Sequence, residues 1–282
     1  MTCVRPIKAY RKPGGGIAFD SRAGYSDRKL EVSCGQCIQC RLKRSREWAL
    51  RCMHEASLHA RNSFVTLTYC PQKLPEDGSL HVEHWQKFAK RLRKKVGKFR
   101  YFHCGEYGED NGRPHYHAII FGVDFDFDRV AYRCVKSHRL YTSATLDEAW
   151  GKGFCTIGAV SFESAAYVAR YAMKKITGNK ASEHYGNRRP EYCTMSRRPG
   201  IGAGWFDKFR DDVFPADEVV HDGRRFRVPR FYDERISEAE LSVYKKRRAG
   251  KAGKFAADRT PERLRDREIC SEARLGRFAR VV

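Results

Sequence analysis

The stretch Pro114-His115-Tyr116-His117-Ala118-Ile119-Ile120-Phe121 places two histidines two positions apart, directly before an apolar run. This composition predicts a β-strand over residues 115–123. Side chains at positions i and i+2 of a strand point to the same face of a sheet. His115 and His117 can therefore present two imidazoles to one ion.

A partner strand is predicted just before this one, over residues 99–107. The residues between them, 108–114, are rich in turn formers, which favours a hairpin. The hairpin returns Glu106 beside the two histidines, and this set can hold a divalent ion with positions left open for water and substrate. Glu109 or Asp110 could replace Glu106. The alternative is a strand whose histidines are exposed or only hydrogen-bonded.

A second motif, Tyr-Val-Ala-Arg-Tyr-Ala-Met-Lys-Lys, occupies residues 167–175 of a helix predicted over 161–175. Tyr167 and Tyr171 are four residues apart, so they lie one turn apart on one helix face. Arg170 and Lys174 each follow a tyrosine by three residues. An aromatic stripe of this spacing ordinarily faces a core. The accompanying cations argue instead for a site that handles phosphate.

Together the two motifs suggest phosphodiester chemistry. A divalent ion can polarise the oxygens of a phosphodiester, and a tyrosine hydroxyl can attack it to give a covalent phosphotyrosine. A phenol with a pKa of about 10 is a poor nucleophile at neutral pH, so the ion and nearby cations must assist it. Two tyrosines allow a second cleavage while the first adduct is still in place.

The remaining periodicities predict an α+β fold with mostly antiparallel strands and packed helices. Helices are expected near residues 41–62 and 81–96, and strands at 64–69 and 153–160. A mobile or variable stretch is expected from 124 to about 144, and residues 1–33 are expected to be loop-like. Helices are also expected near 236–248 and 260–274, and four histidines are expected at the surface: His54, His59, His81 and His84.

The composition indicates a polyanionic partner. The 282 residues carry 56 Lys and Arg against 34 Asp and Glu, for a net charge of +22, which favours DNA or RNA. A hydrophobic content of 41% is too high for a disordered basic tail. We find no apolar stretch of the roughly 20 residues that span a bilayer, no signal peptide and no P-loop motif. The predicted DNA-binding residues are Lys87, Lys90, Arg91, Lys94, Arg113, Lys175, Arg197 and Arg198.

Three of the eleven cysteines, Cys34, Cys37 and Cys40, follow a C-x2-C-x2-C spacing. Cys3 could supply a fourth thiolate, and four thiolates hold Zn²⁺ tetrahedrally in a clip that would pin the N-terminal arm. Reduced structural cysteines are the simpler alternative, and an iron–sulfur cluster is another. The other, mostly isolated cysteines are interpreted as reduced thiols of a cytosolic protein.

These motifs resemble those of the HUH endonucleases of the two-tyrosine Rep type. More narrowly, the chain resembles the rolling-circle replication initiators of single-stranded DNA microviruses, gokushoviruses in particular. The resemblance covers residues 34 to about 206. The stretches that carry it are CGQCIQC, FVTLTY, CGEYG before RPHYH, YVARY with KK, and SRRPGIG. Tyr116 departs mildly from the bulky hydrophobic residue that the family has between its histidines.

The resemblance implies a central antiparallel sheet of about five strands, with Mg²⁺ or Mn²⁺ at His115, His117 and Glu106. It implies nicking of the viral strand at the replication origin through a 5′-phosphotyrosine, and rejoining after one round of synthesis. The expected partners are single-stranded viral DNA, the origin duplex, and a host helicase and polymerase in the bacterial cytoplasm. The expected division is an N-terminal arm (1–40), an endonuclease core (41–206) and a basic C-terminal extension (207–282).

Three competing functions remain open. A non-catalytic protein that coats or packages single-stranded DNA explains the charge but not the paired histidines and tyrosines. A zinc-ribbon regulator rests on the cysteines alone. A relaxase or transposase would share the chemistry, but in most relaxases the tyrosines precede the histidines, whereas here they follow them.

Overall fold

A computed structural model describes residues 3–108, 111–135, 138–174 and 180–279. Side chains are described for these residues except at 171–174, 180 and 276–279. The predicted alternatives Glu109 and Asp110 and the predicted DNA contact Lys175 therefore lie outside the described residues. The same is true of the side chains of Tyr171 and Lys174.

The chain divides by its packing into two units. One is Ser45–Asp233, and the other joins Met1–Arg44 with Glu234–Val282. The predicted division at residues 40 and 206 stays a prediction, because these units describe packing rather than independent folding.

The strands are β1 (Ile7–Arg11), β2 (Ile17–Ala18), β3 (Lys29–Val32), β4 (Asn62–Thr68), β5 (Arg100–Tyr107), β6 (Pro114–Phe121), β7 (Arg129–Val135), β8 (His138–Ser143), β9 (Cys155–Gly158), β10 (Tyr192–Met195), β11 (Glu218–His221) and β12 (Arg224–Arg227). The helices are α1 (Ile38–Ala56), α2 (Val82–Val96), α3 (Ala144–Trp150), α4 (Phe162–Lys174), α5 (Lys180–Tyr185), α6 (Ala203–Val213), α7 (Arg230–Asp233), α8 (Glu238–Gly253) and α9 (Pro261–Ala279).

The unit Ser45–Asp233 is built on an antiparallel sheet. In the described part of the chain it has seven strands in the order β10-β5-β6-β4-β9-β8-β7. The α+β class and the antiparallel central sheet are thereby confirmed. The sheet is wider than the expected five or so strands because the stretch expected to be mobile, 124–144, contains the hairpin β7–β8. The helix predicted at 161–175 is also confirmed, since α4 begins after Ser161, whose Oγ accepts from Ser164 N.

Period-two alternation in β4 and β6 separates two apolar layers. Val65 and Leu67 of β4 join Tyr116 and Ile120 of β6 in a core that α2 and α3 cover. The alternate residues of β6, such as Ile119, pack with α1 and α4 on the opposite face. The two histidines of β6 belong to this second face, which places them on the side of the sheet that carries the tyrosine helix.

The residue between the two histidines anchors β6 from behind. Tyr116 is fully buried, and its hydroxyl lies 2.9 Å from the hydroxyl of Tyr69 and donates to the carbonyl of His81 at 3.0 Å. The mild departure from a bulky hydrophobic residue is therefore accommodated, since the ring fills the core and the hydroxyl is hydrogen-bonded.

The other unit contains the sheet β2-β1-β3 together with α8 and α9. Residues 1–33, expected to be loop-like, thus contain three strands. The helices expected near 236–248 and 260–274 are present as α8 and α9. An ion pair of 2.8 Å between Arg5 and Glu268 ties the N-terminal segment to α9 within this unit. No helix of the described residues has both the length and the apolar composition needed to cross a membrane.

Candidate active site

Three neighbouring strands bring the predicted metal ligands together. Glu106 of β5 and Thr68 of β4 are both register partners of His115 on β6. In the next row along the face, Thr66 of β4 is the register partner of His117. Register partners in an antiparallel sheet share a face, so these side chains converge at one place.

The three predicted ligands meet at short distances. Glu106 Oε1 lies 2.6 Å from His115 Nε2 and 2.7 Å from His117 Nε2, and the ligand atoms of all three residues lie within 4.8 Å of one another. Only 1% of Glu106 is exposed. The structure therefore places the predicted set of two imidazoles and one carboxylate around a common point.

The far nitrogens of both imidazoles are already hydrogen-bonded. His115 Nδ1 lies 3.1 Å from the carbonyl oxygen of Arg113, and His117 Nδ1 lies 2.9 Å from Thr66 Oγ1. A carbonyl can only accept, so His115 Nδ1 carries a proton and the neutral ring directs its Nε2 lone pair towards Glu106. Partners of this kind orient histidines that bind metals.

The residues fit a divalent ion. A lone pair on His115 Nε2 and a carboxylate oxygen 2.6 Å away repel unless a proton or a cation lies between them. The second oxygen of Glu106, Oε2, is buried without a hydrogen-bond partner in the described part of the structure. A cation at this point would satisfy both requirements.

The pKa shifts favour the same protonation states. Burial by itself raises the pKa of Glu106, but hydrogen bonds from His115 and His117 outweigh burial, and the pKa of the carboxyl is lowered overall. Burial lowers the pKa of His117 more than the nearby carboxylate raises it. An ionised Glu106 beside a neutral His117 is the state that binds a metal.

The tyrosine helix lies next to these ligands. The ring of Tyr167 on α4 meets the ring of His117 edge to face, with centroids 5.2 Å apart. Arg170 Cζ lies 5.8 Å from the centre of the Tyr167 ring. Position 171 follows one turn later on the same helix. The structure thus brings the first predicted nucleophile and one predicted cation to the predicted metal site.

The predicted DNA contacts are more dispersed. Lys87, Lys90, Arg91 and Lys94 lie on α2, which packs against the sheet face opposite the histidines. Arg91 also donates to the carbonyls of Ala149 and Trp150, at 2.7 and 2.9 Å. The DNA role of these residues stays a prediction, but the structure does not bring them to the candidate site.

The other predicted contacts differ in their proximity to the site. Arg113 donates to the carbonyl of Tyr69 at 3.0 Å, and its own carbonyl faces His115. Arg197 and Arg198 are exposed beyond the end of β10. Ser196 there bonds to Tyr101, five residues along β5 from Glu106 and so roughly 16 Å away. Arg113 therefore borders the metal ligands, whereas Arg197 and Arg198 do not.

The four predicted zinc ligands form a separate cluster in the other unit. The sulfurs of Cys3, Cys34, Cys37 and Cys40 lie within 4.8 Å of one another, and Cys3 Sγ is 3.6 Å from Cys34 Sγ and 3.7 Å from Cys37 Sγ. Tetrahedral Zn²⁺ with bonds of about 2.3 Å would separate its sulfurs by about 3.8 Å. Burial raises the pKa of Cys37, but backbone hydrogen bonds from Cys40 and Val4 lower it to about 6 overall. The cluster fits a zinc ion.

Two positions were not identified by sequence reasoning. Thr66 was given no part in holding His117, although strand alternation and the hairpin register contained that signal. His54, expected at the surface, is only 4% exposed: its ring stacks on Trp205 and its Nδ1 lies 2.7 Å from the hydroxyl of Tyr232. That expectation was wrong because α6 and α7 cover the end of α1, which no local pattern reveals.

Comparisons with known proteins agree with these features. The model of a family described as replication-associated protein ORF2 matches residues 62–176, the segment that holds the histidines and tyrosines. Replication-associated protein VP4 of Bdellovibrio phage phiMH2K is 33% identical over 83% of this chain and 76% of its own length. Replication-associated protein ORF2 of Spiroplasma virus 4 is 31% identical over 84% of this chain and 80% of its own.

Replication-associated protein ORF4 of Chlamydia phage 1 is 29% identical over 72% of this chain and 53% of its own length. No solved structure gives a significant match. The relatives with more than 30% identity align over most of both chains, and the family model covers the candidate site. The chain therefore belongs to the family of phage replication-associated proteins.

Proposed function

We propose that the chain is a metal-dependent tyrosine nickase and strand transferase that opens and rejoins the viral strand at the replication origin. The observation that supports this most directly is the convergence of Glu106, His115 and His117 on one point, with the ring of Tyr167 5.2 Å from His117. A non-catalytic DNA-binding protein would not need these residues together.

Glu106, His115 and His117 would hold Mg²⁺ or Mn²⁺, which when bound would polarise the oxygens of the scissile phosphate. The Tyr167 oxygen attacks phosphorus, the bond from phosphorus to the 3′ oxygen breaks, and the leaving oxygen takes up a proton to become a 3′-OH. The 5′ phosphate remains on the tyrosine. Arg170, beside the Tyr167 ring, stabilises negative charge on the phenol oxygen.

The second tyrosine would complete the cycle. After one round of synthesis the regenerated origin is attacked by Tyr171, with Lys174 as its cation. The freed 3′-OH then attacks the first phosphotyrosine, so that one phosphodiester forms as the tyrosine ester breaks. We place this cycle in the cytoplasm of the bacterial host, with a host helicase and polymerase supplying unwinding and synthesis.

The test is formation of a covalent adduct. The full chain is mixed with Mn²⁺ and labelled single-stranded oligonucleotides that tile the viral strand, and the products are separated on a denaturing gel. We expect an adduct that EDTA prevents, that survives Tyr167→Phe or Tyr171→Phe singly, and that the double substitution abolishes. His115→Ala should abolish the adduct but retain most of the salt-sensitive DNA affinity.

His184→Ala is the matched control, since His184 is exposed on α5 and belongs to neither proposed metal site. It should form the adduct at the wild-type level. The absence of an adduct on every oligonucleotide, with DNA binding retained, would overturn the nickase proposal in favour of a single-stranded DNA-binding or packaging protein.

We further propose that Cys3, Cys34, Cys37 and Cys40 hold a structural zinc ion. This proposal is supported by their spacing, by sulfur separations of 3.6 and 3.7 Å, and by the burial of Cys3, Cys37 and Cys40. A zinc ion would link the segment before β1 to the start of α1 and stabilise a region with little apolar core of its own.

A further inference from the structure

Two exposed aromatic rings lie beside the row of candidate metal ligands. Leu67 pairs with Cys155, and the next pair along contains Thr68 and Phe154. The carbonyl of Phe154 accepts from Thr68 N at 3.0 Å and from Thr68 Oγ1 at 2.8 Å. Because Thr68 is also the register partner of His115, Phe154 lies two strands from His115, or roughly 10 Å, on the same face.

The second ring belongs to Tyr132 of β7. Its centroid lies 5.1 Å from that of Phe154, with the ring planes 58° apart. Phe154 is 42% exposed and Tyr132 is 49% exposed, although large aromatic side chains are ordinarily well covered in a folded protein. The two rings therefore offer π-faces to solvent within reach of the metal ligands.

The local backbone holds both rings in place. Gly153 has φ of +155°, and a Cβ at this position would lie 2.3 Å from the carbonyl oxygen of Thr68, so only glycine lets the chain run this close to β4. Tyr132 lies at a break in the β7–β8 register between Ala131 and Arg133. Such bulges redirect a side chain, here towards Phe154.

The charge around the pair favours a polyanion. Residues 129–143 contain three arginines and one lysine but no carboxylate. Arg133 Cζ lies 5.4 Å from the centre of the Tyr132 ring, and no carboxylate of the described residues is within ion-pairing distance of Arg133. Aromatic faces beside unpaired arginine are the arrangement that binds unpaired bases and their phosphates.

We propose that Tyr132 and Phe154 form a stacking platform for bases of the single-stranded DNA that flank the scissile phosphate. This inference rests on the proposed nicking function, because it assigns the bases next to the phosphate held at Glu106, His115 and His117. Stacking holds the strand in an extended, unpaired form across the sheet face. Since every base has a π-face, the platform contributes affinity without specifying the sequence.

The test measures binding without cleavage. The full chain is titrated in EDTA with two labelled oligonucleotides of about 20 nucleotides, one of thymidines and one with the same phosphates but no bases. Wild-type protein should prefer the thymidine strand. Phe154→Leu or Tyr132→Leu, which keep an apolar side chain but remove the π-face, should each lower affinity for it by about 5- to 100-fold. Phe154→Trp should retain the preference.

Two further measurements separate stacking from other effects. Phe255→Leu is the matched control, since Phe255 is 64% exposed but belongs to the other unit, and it should bind as wild type does. The salt dependence of binding should be unchanged in Phe154→Leu, because no phosphate contact is removed. Equal wild-type affinity for the two strands, or full affinity in both leucine variants, would overturn the platform.

The adduct assay distinguishes this failure from failure of the nickase. If wild type forms the adduct but Phe154→Leu and Tyr132→Leu bind normally, the platform is wrong and the nickase stands. If the leucine variants lose affinity but wild type forms no adduct, the platform stands and the nickase is wrong. Self-association through the edge strand β7, lost in Tyr132→Leu without any preference for bases, would show that a second copy covers this surface instead.

Discussion

The ring of Tyr167 meets the ring of His117 edge to face at an angle of 87°, with centroids 5.2 Å apart. Another neighbour of His117 is Phe64, whose ring stacks on the imidazole at 5.6 Å. The proposed nucleophile is therefore part of the packing that holds a proposed metal ligand. A substitution at Tyr167 will affect both chemistry and structure unless the ring is kept.

We expect Tyr167→Ala to lower the free energy of unfolding by about 2–3 kcal/mol, because it removes a ring from the partly buried layer around His117. Tyr167→Phe keeps the ring and should cost at most about 1 kcal/mol. Urea denaturation followed by circular dichroism measures both. An equal loss in the two variants would show that the hydroxyl, rather than the ring, stabilises this region.

Thr66→Val should weaken Mn²⁺ binding by about 10- to 100-fold, because His117 Nδ1 loses the oxygen that orients the ring. Thr66→Ser keeps an oxygen and should restore most of the affinity. Isothermal titration calorimetry with Mn²⁺ alone makes the measurement, without DNA or turnover.

Thr156→Val is the matched control for this experiment. Thr156 is the register partner of Thr66 on the other side of β4, and it shares the same sheet face. The control should bind Mn²⁺ as wild type does. Unchanged affinity in Thr66→Val would mean that His117 is held by its contacts with Phe64 and Tyr167 alone.

Stability should fall in acid through His54. Burial, and to a smaller extent the charge of His221, lowers the pKa of His54 from 6.5 to about 3. Between these values the unfolded chain binds the extra proton and the folded chain does not. The contribution is therefore fully present above pH 6.5, is lost as pH falls at up to about 1.4 kcal/mol per pH unit, and is exhausted near pH 3.

Urea denaturation of wild type and His54→Gln between about pH 7 and pH 4 isolates this contribution. Subtracting the two curves removes the carboxylates and the other histidines, which both proteins share. We expect the stability advantage of wild type to shrink as pH falls. Parallel curves would contradict the proposed burial of a neutral imidazole.

Cys34→Ser should release zinc from the purified protein and lower the melting temperature of the unit that joins the two ends of the chain. The thiolate at Cys34 is one of four sulfurs around the proposed ion, so its loss leaves an incomplete tetrahedral site. Mass spectrometry of bound metal and differential scanning calorimetry provide the two measurements.

Cys270→Ser is the corresponding control, since Cys270 is an exposed cysteine of the same unit outside the cluster. It should retain stoichiometric zinc and the wild-type melting temperature. Purified wild type without stoichiometric zinc would remove the metal from this proposal and leave four reduced structural cysteines.

The features that sequence alone predicted are those that local geometry determines. Alternation along one strand places His115 and His117 on one face, and a short hairpin brings Glu106 beside them, because only a few residues separate the paired strands. Helical spacing likewise places positions 167 and 171 one turn apart. In each case the side-chain direction follows from the backbone repeat, and no distant contact is needed.

Tertiary structure decided what local repeats cannot express. Which face of the sheet a helix covers depends on where long-range apolar contacts are most complete. That contact pattern put α4 beside the histidines and α2, with its basic residues, on the other side. The same long-range packing buried His54, widened the sheet through β7–β8, and brought together Phe154 and Tyr132, which belong to different segments of the chain. The sequence thus determined the candidate ligands and nucleophiles, and the packing of distant segments determined which of them share a site.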